Sequence, residues 1–435
     1  MKEKTLTPGD HVILKTKTKE WQGYILESHD SEVILLKLES GYNIGIRENE
    51  ILDLKVLEKD NTDKQEKDKK IVLKVNSKLP NIAMIITGGT ISSRLDPKTG
   101  GVKWTSAEDI FTIAPEIQKI CNILKIEKPF MKASENMSYQ DWKKIAELTE
   151  KLLNNKNISG VVITHGTDFL HYTSSALSFF LPHLNKPIAL TYSQRSIDRG
   201  STDAALNLIC ACKYAISDIA EVAIIGHKDL NDKYCLAMPG TKVRKMHASR
   251  RDTFKTINSE PIAEISQEAT KIKILKEFNA RDNNKKVELD TKFQEKVALI
   301  KIYPGQNPEI LDFYAEKGYK GLVLELSGLG HAPIYDEARY NWLPKIKQMI
   351  KKGIIICGAP QTIYGRLNPK VYSAGRDLQK TGLIFLKDML PETALVKLAW
   401  VLGHKEWSKN SNSVKEKMLE NISHELNKRI GFSDF

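Results

Sequence analysis

Five consecutive apolar residues, Ile82-Ala83-Met84-Ile85-Ile86, run directly into Thr87-Gly88-Gly89-Thr90. A run that short and that uniformly apolar has no wet face, so it reads as a strand buried on both sides. Such strands belong to parallel sheets covered by helices, and ligands gather at their carboxyl ends. Paired glycines at that end let backbone N–H groups come close to a ligand. An ordinary strand-to-loop turn would have the same local sequence, so the rest of the chain must decide.

From Pro80 onward the chain alternates strands and helices. Strands are expected at 82–87, 160–164, 188–191 and 222–225, with helices over 142–153, 169–180 and 203–214 between them. That alternation is the signature of a parallel sheet with helical crossovers. Polar sequence around Asn279 to Asn284 interrupts the rhythm, which resumes with strands at 297–302, 321–326 and 353–357. With 435 residues the chain is too long for one core, and a second α/β domain fits. Ahead of both lie five short alternating strands, 11–16, 21–28, 33–38, 42–47 and 51–57, expected to form a small SH3-like β-barrel that docks and does not catalyse. The apolar-free stretch Asp60 to Lys70 reads as a solvated linker. The expected organisation is a barrel at 1–57, a linker at 58–78, α/β domains at 79–280 and 281–407, and a tail at 408–435. In that tail Val414 to Arg429 is expected to be a charged amphipathic helix.

Composition excludes several classes of function. No apolar run is long enough to span a bilayer, and Met1-Lys2-Glu3-Lys4 lacks the apolar core of a signal peptide. Five cysteines with no CxxC pair point to reduced thiols in a cytoplasm. The net charge of +12 favours acidic partners, but its lysines are dispersed and no RNA-binding motif accompanies them. The histidines show no metal-ligand spacing, and no GxxxxGK[ST] motif is present, so ATP and its magnesium must be held elsewhere.

A second strand end repeats the logic of the first. Val161-Val162-Ile163-Thr164 runs into His165-Gly166-Thr167-Asp168, with a helix following. This places Thr167 near a helix N-terminus, where unpaired N–H groups favour developing negative charge. Asp168 is either a chemical partner or that helix's cap, and His165 reads as a loop hydrogen-bonder. The basic stretch Met238 to His247 follows. A threonine hydroxyl needs a base to become a nucleophile, and a lysine with a lowered pKa can serve. Spacing alone leaves open whether threonine, lysine and aspartate meet.

Thr87-Gly88-Gly89-Thr90-Ile91 and Ile163-Thr164-His165-Gly166-Thr167-Asp168, in that order, resemble the two signature motifs of the type I/II L-asparaginase family. The resemblance runs from about Leu79 to Gly403. The barrel, Ser134-Glu135-Asn136-Met137, the stretch Lys242 to Phe254 and the tail are similar to the D subunits of archaeal tRNA-dependent amidotransferases. The resemblance implies two asparaginase-like α/β domains with parallel sheets. It implies Thr90 as first nucleophile, and Thr167, Asp168 and Lys245 as a second triad with Lys245 as its base. Ser134 and Glu135 would hold the substrate's α-amino and α-carboxylate groups, and Gly89 and Gly166 would offer close backbone approach.

The implied activity is glutamine hydrolysis. The ammonia would serve an E subunit that amidates Glu-tRNA(Gln) with ATP, around a homodimeric core in a heterotetramer. No cofactor would be bound by this chain itself. A free-standing asparaginase or glutaminase, or a non-catalytic RNA-binding scaffold, are the alternatives. One departure stands out: the lid from Ile91 to Trp104 carries Ser92, Ser93 and Thr99 but lacks the family's activating tyrosine. Lys242, Arg244 and Arg250-Arg251 face either RNA, solvent or a domain interface.

Overall fold

The computed structural model describes residues 6–28, 30–38, 42–58, 75–95, 102–104, 113–269, 271–335, 339–429 and 431. The linker stretch Asp60 to Lys70, the lid residues 96–101 and the last residues of the tail lie outside these. The N-terminal strands are β1 (His11–Thr16), β2 (Glu20–Leu26), β3 (Val33–Leu38), β4 (Asn43–Arg47) and β5 (Ile51–Glu58). They form one antiparallel sheet in the order β4-β3-β2-β1-β5. Alternation along these strands sends Val12, Leu14, Ile25, Leu36 and Ile46 into a small shared core. Lys37 on β3 is 5% exposed. Burial lowers its pKa, and Arg199 and Asp198 of the larger domain lie close enough to act on it electrostatically.

Removing residues 1–78 is expected to leave the larger domains folded, because the barrel's apolar core closes on itself. A chain beginning at Leu79 that no longer unfolds cooperatively by circular dichroism would contradict this.

The next strands are β6 (Asn81–Ile86), the lid strands β7 (Ser93–Leu95) and β8 (Val102–Trp104), β9 (Asn122–Glu127), β10 (Val161–Thr164) and β11 (Ile188–Thr191). They are followed by β12 (Val222–His227), β13 (Tyr234–Pro239), β14 (Val243–Lys245), β15 (Phe254–Thr256), β16 (Ala263–Ser266) and β17 (Lys273–Ile274). Helices α1 (Tyr139–Leu153), α2 (Leu170–Phe180) and α3 (Ala204–Ala215) cross between them. Eight of these strands build the main sheet, in the order β17-β16-β13-β12-β11-β10-β6-β9. From β9 to β12 all neighbours are parallel.

The expected parallel arrangement holds there, and on the other side the sheet is mixed, with β13, β16 and β17 running antiparallel. The loop Lys228–Lys233 between β12 and β13 is too short for a crossover, since a parallel return needs a dozen or more residues. Within and after the basic stretch Met238 to His247, β14 and β15 pair as a separate two-stranded hairpin.

The second domain holds β18 (Val297–Lys301), β19 (Gly321–Leu326), β20 (Ile355–Pro360) and β21 (Ile384–Phe385), in that spatial order and all parallel. Its helices are α4 (Ile310–Glu316), α5 (Trp342–Lys351), α6 (Ser373–Lys380) and α7 (Pro391–Gly403). Helix α7 is buried almost all round and packs on α2, with Phe179 stacked on Trp400 at 5.6 Å. One apolar cluster therefore runs continuously from Ile85 and Phe180 of the first domain to Leu398 and Val401 of the second.

The tail corrects an expectation. Helix α8 covers only Ser411–Leu419 and ends at Glu420 in extended backbone. Beyond it Glu425, fully buried, accepts the N–H groups of Ile422 and Ser423 and pairs with buried Lys397. A carboxylate that turns back to bond its own upstream backbone stops a helix there.

Candidate active site

Thr164 lies beside Ile86 in the parallel register of β10 on β6. The two glycine-threonine motifs therefore leave the sheet side by side at one carboxyl edge. Gly88 and Gly89 have φ of 116° and 80°, in the region that favours glycine. A Cβ at Gly89 would fall 2.4 Å from the Gly166 nitrogen, so the two turns are packed backbone to backbone. Gly166 in turn touches Ser134, whose Oγ would lie 3.0 Å from a Cβ there. Thr90, half-buried, then opens a single 3₁₀ turn at Thr90–Ser92, and Ser93 Oγ donates to its carbonyl at 2.7 Å.

Lys245, on the last position of β14, reaches this edge. Its Nζ donates to Thr167 Oγ1 at 2.9 Å and to Asp168 Oδ1 at 2.6 Å. The lysine side chain is 12% exposed and the aspartate 58%. Asp168 does not cap the helix that follows: α2 begins after Phe169 with no side-chain cap, and Phe169 N–H bonds Ser134 Oγ at 3.3 Å instead. Ser134 is 3% exposed, on a short turn over Ser134–Asn136, while Glu135 beside it is exposed. Thr167, Asp168, Lys245, Gly89, Gly166 and Ser134 thus cluster, with Thr90 directly following the glycine contact.

His165 is fully buried beneath this cluster. Its Nδ1 lies 2.7 Å from the Gly166 carbonyl and its Nε2 2.9 Å from Thr173 Oγ1. Burial pulls its pKa down to about 4, and that of His171 on α2 down to about 3 with help from Arg244 and Lys245. Both imidazoles are therefore neutral at pH 7, which fits a loop-bracing role for His165 and not a base. Their unfolded counterparts protonate near pH 6.5. Between there and pH 4 the unfolded chain binds more protons than the folded one, so stability falls as pH falls. Each histidine is expected to contribute up to about 3 kcal/mol of this loss. Urea midpoints at pH 7 and pH 5 check it, and a flat profile would contradict the buried neutral assignment.

The remaining basic candidates resolve into ion pairs. Lys242 is wholly buried against Asp388, and Arg244 Nε lies 3.0 Å from Glu392 Oε1, both at the domain interface. Arg250 pairs with Asp252 at 2.9 Å and Arg251 with Asp232 at 2.6 Å. Sequence reasoning missed Asp388 and Glu392 because nothing local to them signals the first domain. The only trace was Pro391-Glu392, a proline and an acid in a helix's first turn.

Thr167, Lys245 and Asp168 thus meet at this sheet edge, beside the turn that leads to Thr90. Residues 81–278 match the family Asparaginase, N-terminal, and 296–416 match the Glutaminase/Asparaginase C-terminal domain. The L-asparaginase of Thermococcus kodakarensis superposes with a TM-score of 0.69 at 28% identity, covering 80% of this chain and 99% of its own. L-asparaginase I of Vibrio cholerae gives 0.68 at 27% identity, with the same coverage.

Residues 6–57 match the GatD N-terminal domain. The D subunit of glutamyl-tRNA(Gln) amidotransferase from Pyrococcus furiosus is 44% identical over 434 residues, 98% of this chain and 96% of that one. Its counterpart in Methanococcus maripaludis is 41% identical over 425 residues, 97% and 98% of the two chains. The chain belongs to the family of glutamyl-tRNA(Gln) amidotransferase D subunits.

Proposed function

We propose that this chain is the glutamine-hydrolysing subunit of a tRNA-dependent amidotransferase. The observation that carries the chemistry is the Lys245 ammonium position, within hydrogen-bond reach of both Thr167 and Asp168. In this reading Thr90 Oγ1 attacks the side-chain amide carbon of glutamine, its proton passes to the amide nitrogen, the C–N bond breaks and ammonia leaves. Water then cleaves the resulting ester, releasing glutamate and restoring the hydroxyl. Lys245 in its neutral form takes the proton of the water that cleaves the ester, relayed through the Thr167 hydroxyl, and Asp168 orients the amine and stabilises it once charged. Backbone N–H groups around Gly89 and Gly166 supply donors for the oxyanion. Ser134 and Glu135 receive the α-amino and α-carboxylate ends of the substrate.

The ammonia serves a partner, the E subunit, which holds ATP and magnesium and amidates Glu-tRNA(Gln). This chain forms a homodimeric core carrying two such partners in the cytoplasm, and tRNA contacts lie mainly on the partner. Among the described residues no helix is long and apolar enough to cross a membrane.

A lid without its tyrosine leaves Thr90 without an autonomous base, so hydrolysis by the isolated chain should be slow. General-base assistance is worth about 10²–10⁴-fold, and partner binding that favours the closed lid would restore it. Ammonia release from glutamine and from asparagine is therefore measured for the chain alone and with the partner and Glu-tRNA(Gln). Stimulation with glutamine is expected. Full turnover of asparagine by the chain alone would instead favour a free-standing amidohydrolase.

A further inference from the structure

Lys245 sits on a strand that does not hold itself in place. Among the described residues β14 pairs only with β15, Lys245 opposite Phe254, and an isolated two-stranded ribbon is marginal in water. The anchors of its approach come largely from the second domain. Thr393 Oγ1 donates to the Thr241 carbonyl at 3.0 Å, and Lys242 Nζ pairs with the Asp388 carboxylate and lies 3.2 Å from the Asp388 carbonyl. Arg244, next to Lys245, meets Glu392 at 3.0 Å. Glu392 and Thr393 lie in the first turn of α7 and Asp388 just ahead of it, so one helix start and its approach grip three of the four residues leading to the lysine.

Neighbouring side chains on a strand point to opposite faces. Holding Arg244 on the α7 side therefore turns Lys245 toward Thr167. We propose that Glu392 is a positioning residue for the hydrolysis, fixing through Arg244 the strand that aims Lys245 Nζ at Thr167. This rests on the reading of Lys245 as the base.

The surroundings of Glu392 make the pair exacting. Its side chain is 7% exposed, and it lies in the first turn of α7, where free N–H groups favour an anion. His171 Nε2 is 4.0 Å from the same carboxylate oxygen, but the ring is neutral at pH 7 and supplies no charge. Among the described residues Glu392 Oε2 and His171 Nδ1 are both buried without a hydrogen-bond partner, and Glu325 stands close enough to repel Glu392. Arg244 is thus the ion-pair partner on which this carboxylate depends. Without it Arg244 keeps only the longer-range pull of Glu325, and the strand loses the contact that aims it.

The test uses the full chain assembled with its partner and Glu-tRNA(Gln), and reads glutamate formation. Glu392→Gln is expected to lower kcat by about 10–100-fold, the scale of an ångström-sized misplacement, with KM for glutamine nearly unchanged. The same substitution in a Lys245→Met background is expected to cause no further loss, because its effect passes through Lys245. A wild-type kcat for Glu392→Gln while Lys245→Met is inactive would overturn the proposal alone. A full additional loss in the Lys245→Met background would also overturn it, marking a general structural defect. Wild-type activity of Lys245→Met would instead remove the reading of the site itself. If Glu392→Gln does not fold, Arg244→Lys, which keeps the charge but loses the Nε geometry, is read by the same criteria.

Discussion

Lys245→Met is expected to lower kcat for glutamine hydrolysis by about 10²–10⁴-fold, the usual worth of a positioned base. The methionine keeps the length and apolar stem of the lysine and removes only the amine. The lysine is mostly covered and contacts Thr167 and Asp168 through that amine alone among the hydrogen bonds described. Folding stability should therefore change by less than about 1 kcal/mol, as for an ion pair with one exposed partner. Thr167→Val, nearly isosteric, is expected to give a comparable loss. Steady-state kinetics beside a urea titration separate the two effects, and a Lys245 variant with wild-type turnover would take the residue out of the mechanism.

A second large effect is expected at the domain interface, on stability. Lys242 and Asp388 are both wholly buried, and burial lowers the lysine's pKa while the carboxylate pushes it back up. Asp388 also accepts the N–H of Asn427 from the tail. Asp388→Ala strands a buried ammonium and frees that tail contact, for an expected loss of about 3–5 kcal/mol. Replacing both partners, as Lys242→Met with Asp388→Leu, removes the stranded charge and is expected to recover most of the loss. Equal destabilisation by the single and double substitutions, measured by urea unfolding, would show that the charge pair is not the cause.

These two sites differ in how they could be read from sequence. The Thr87-Gly88-Gly89-Thr90 and Thr164-His165-Gly166-Thr167-Asp168 turns each carry a local signal, a short apolar strand breaking at glycine. Parallel register alone then brings them together, because Ile86 and Thr164 are neighbours in the sheet. The five barrel strands were legible for the same reason, their alternation being a property of adjacent residues. What pattern could not supply was direction and partnership. The antiparallel turn of β13 depends on the length of one loop, and the early end of α8 depends on a buried lysine on another helix, Lys397. Lys242 and Arg244 carry charge that fits a nucleic-acid surface equally well until Asp388 and Glu392 are placed opposite them. Interface pairs of this kind are written in two distant places at once, and neither place reveals the other.

The architecture also separates two tasks. In the proposed mechanism the first domain's sheet edge supplies hydroxyls and backbone N–H groups, while Lys245, the proposed base, arrives on a hairpin held from the second domain. Both tasks serve one reaction, whose product ammonia must be used before it is protonated and lost.

That this chain generates ammonia for an amidation carried out elsewhere in the complex is open to direct measurement. The quantity is formation of Gln-tRNA(Gln) from Glu-tRNA(Gln) and ATP by the reconstituted complex carrying Thr90→Val, with glutamine or with ammonium chloride as nitrogen source. No product is expected with glutamine, and near-normal product with ammonium. Product formed from glutamine at the normal rate, or none formed from ammonium by a complex that still binds the tRNA, would contradict the assignment.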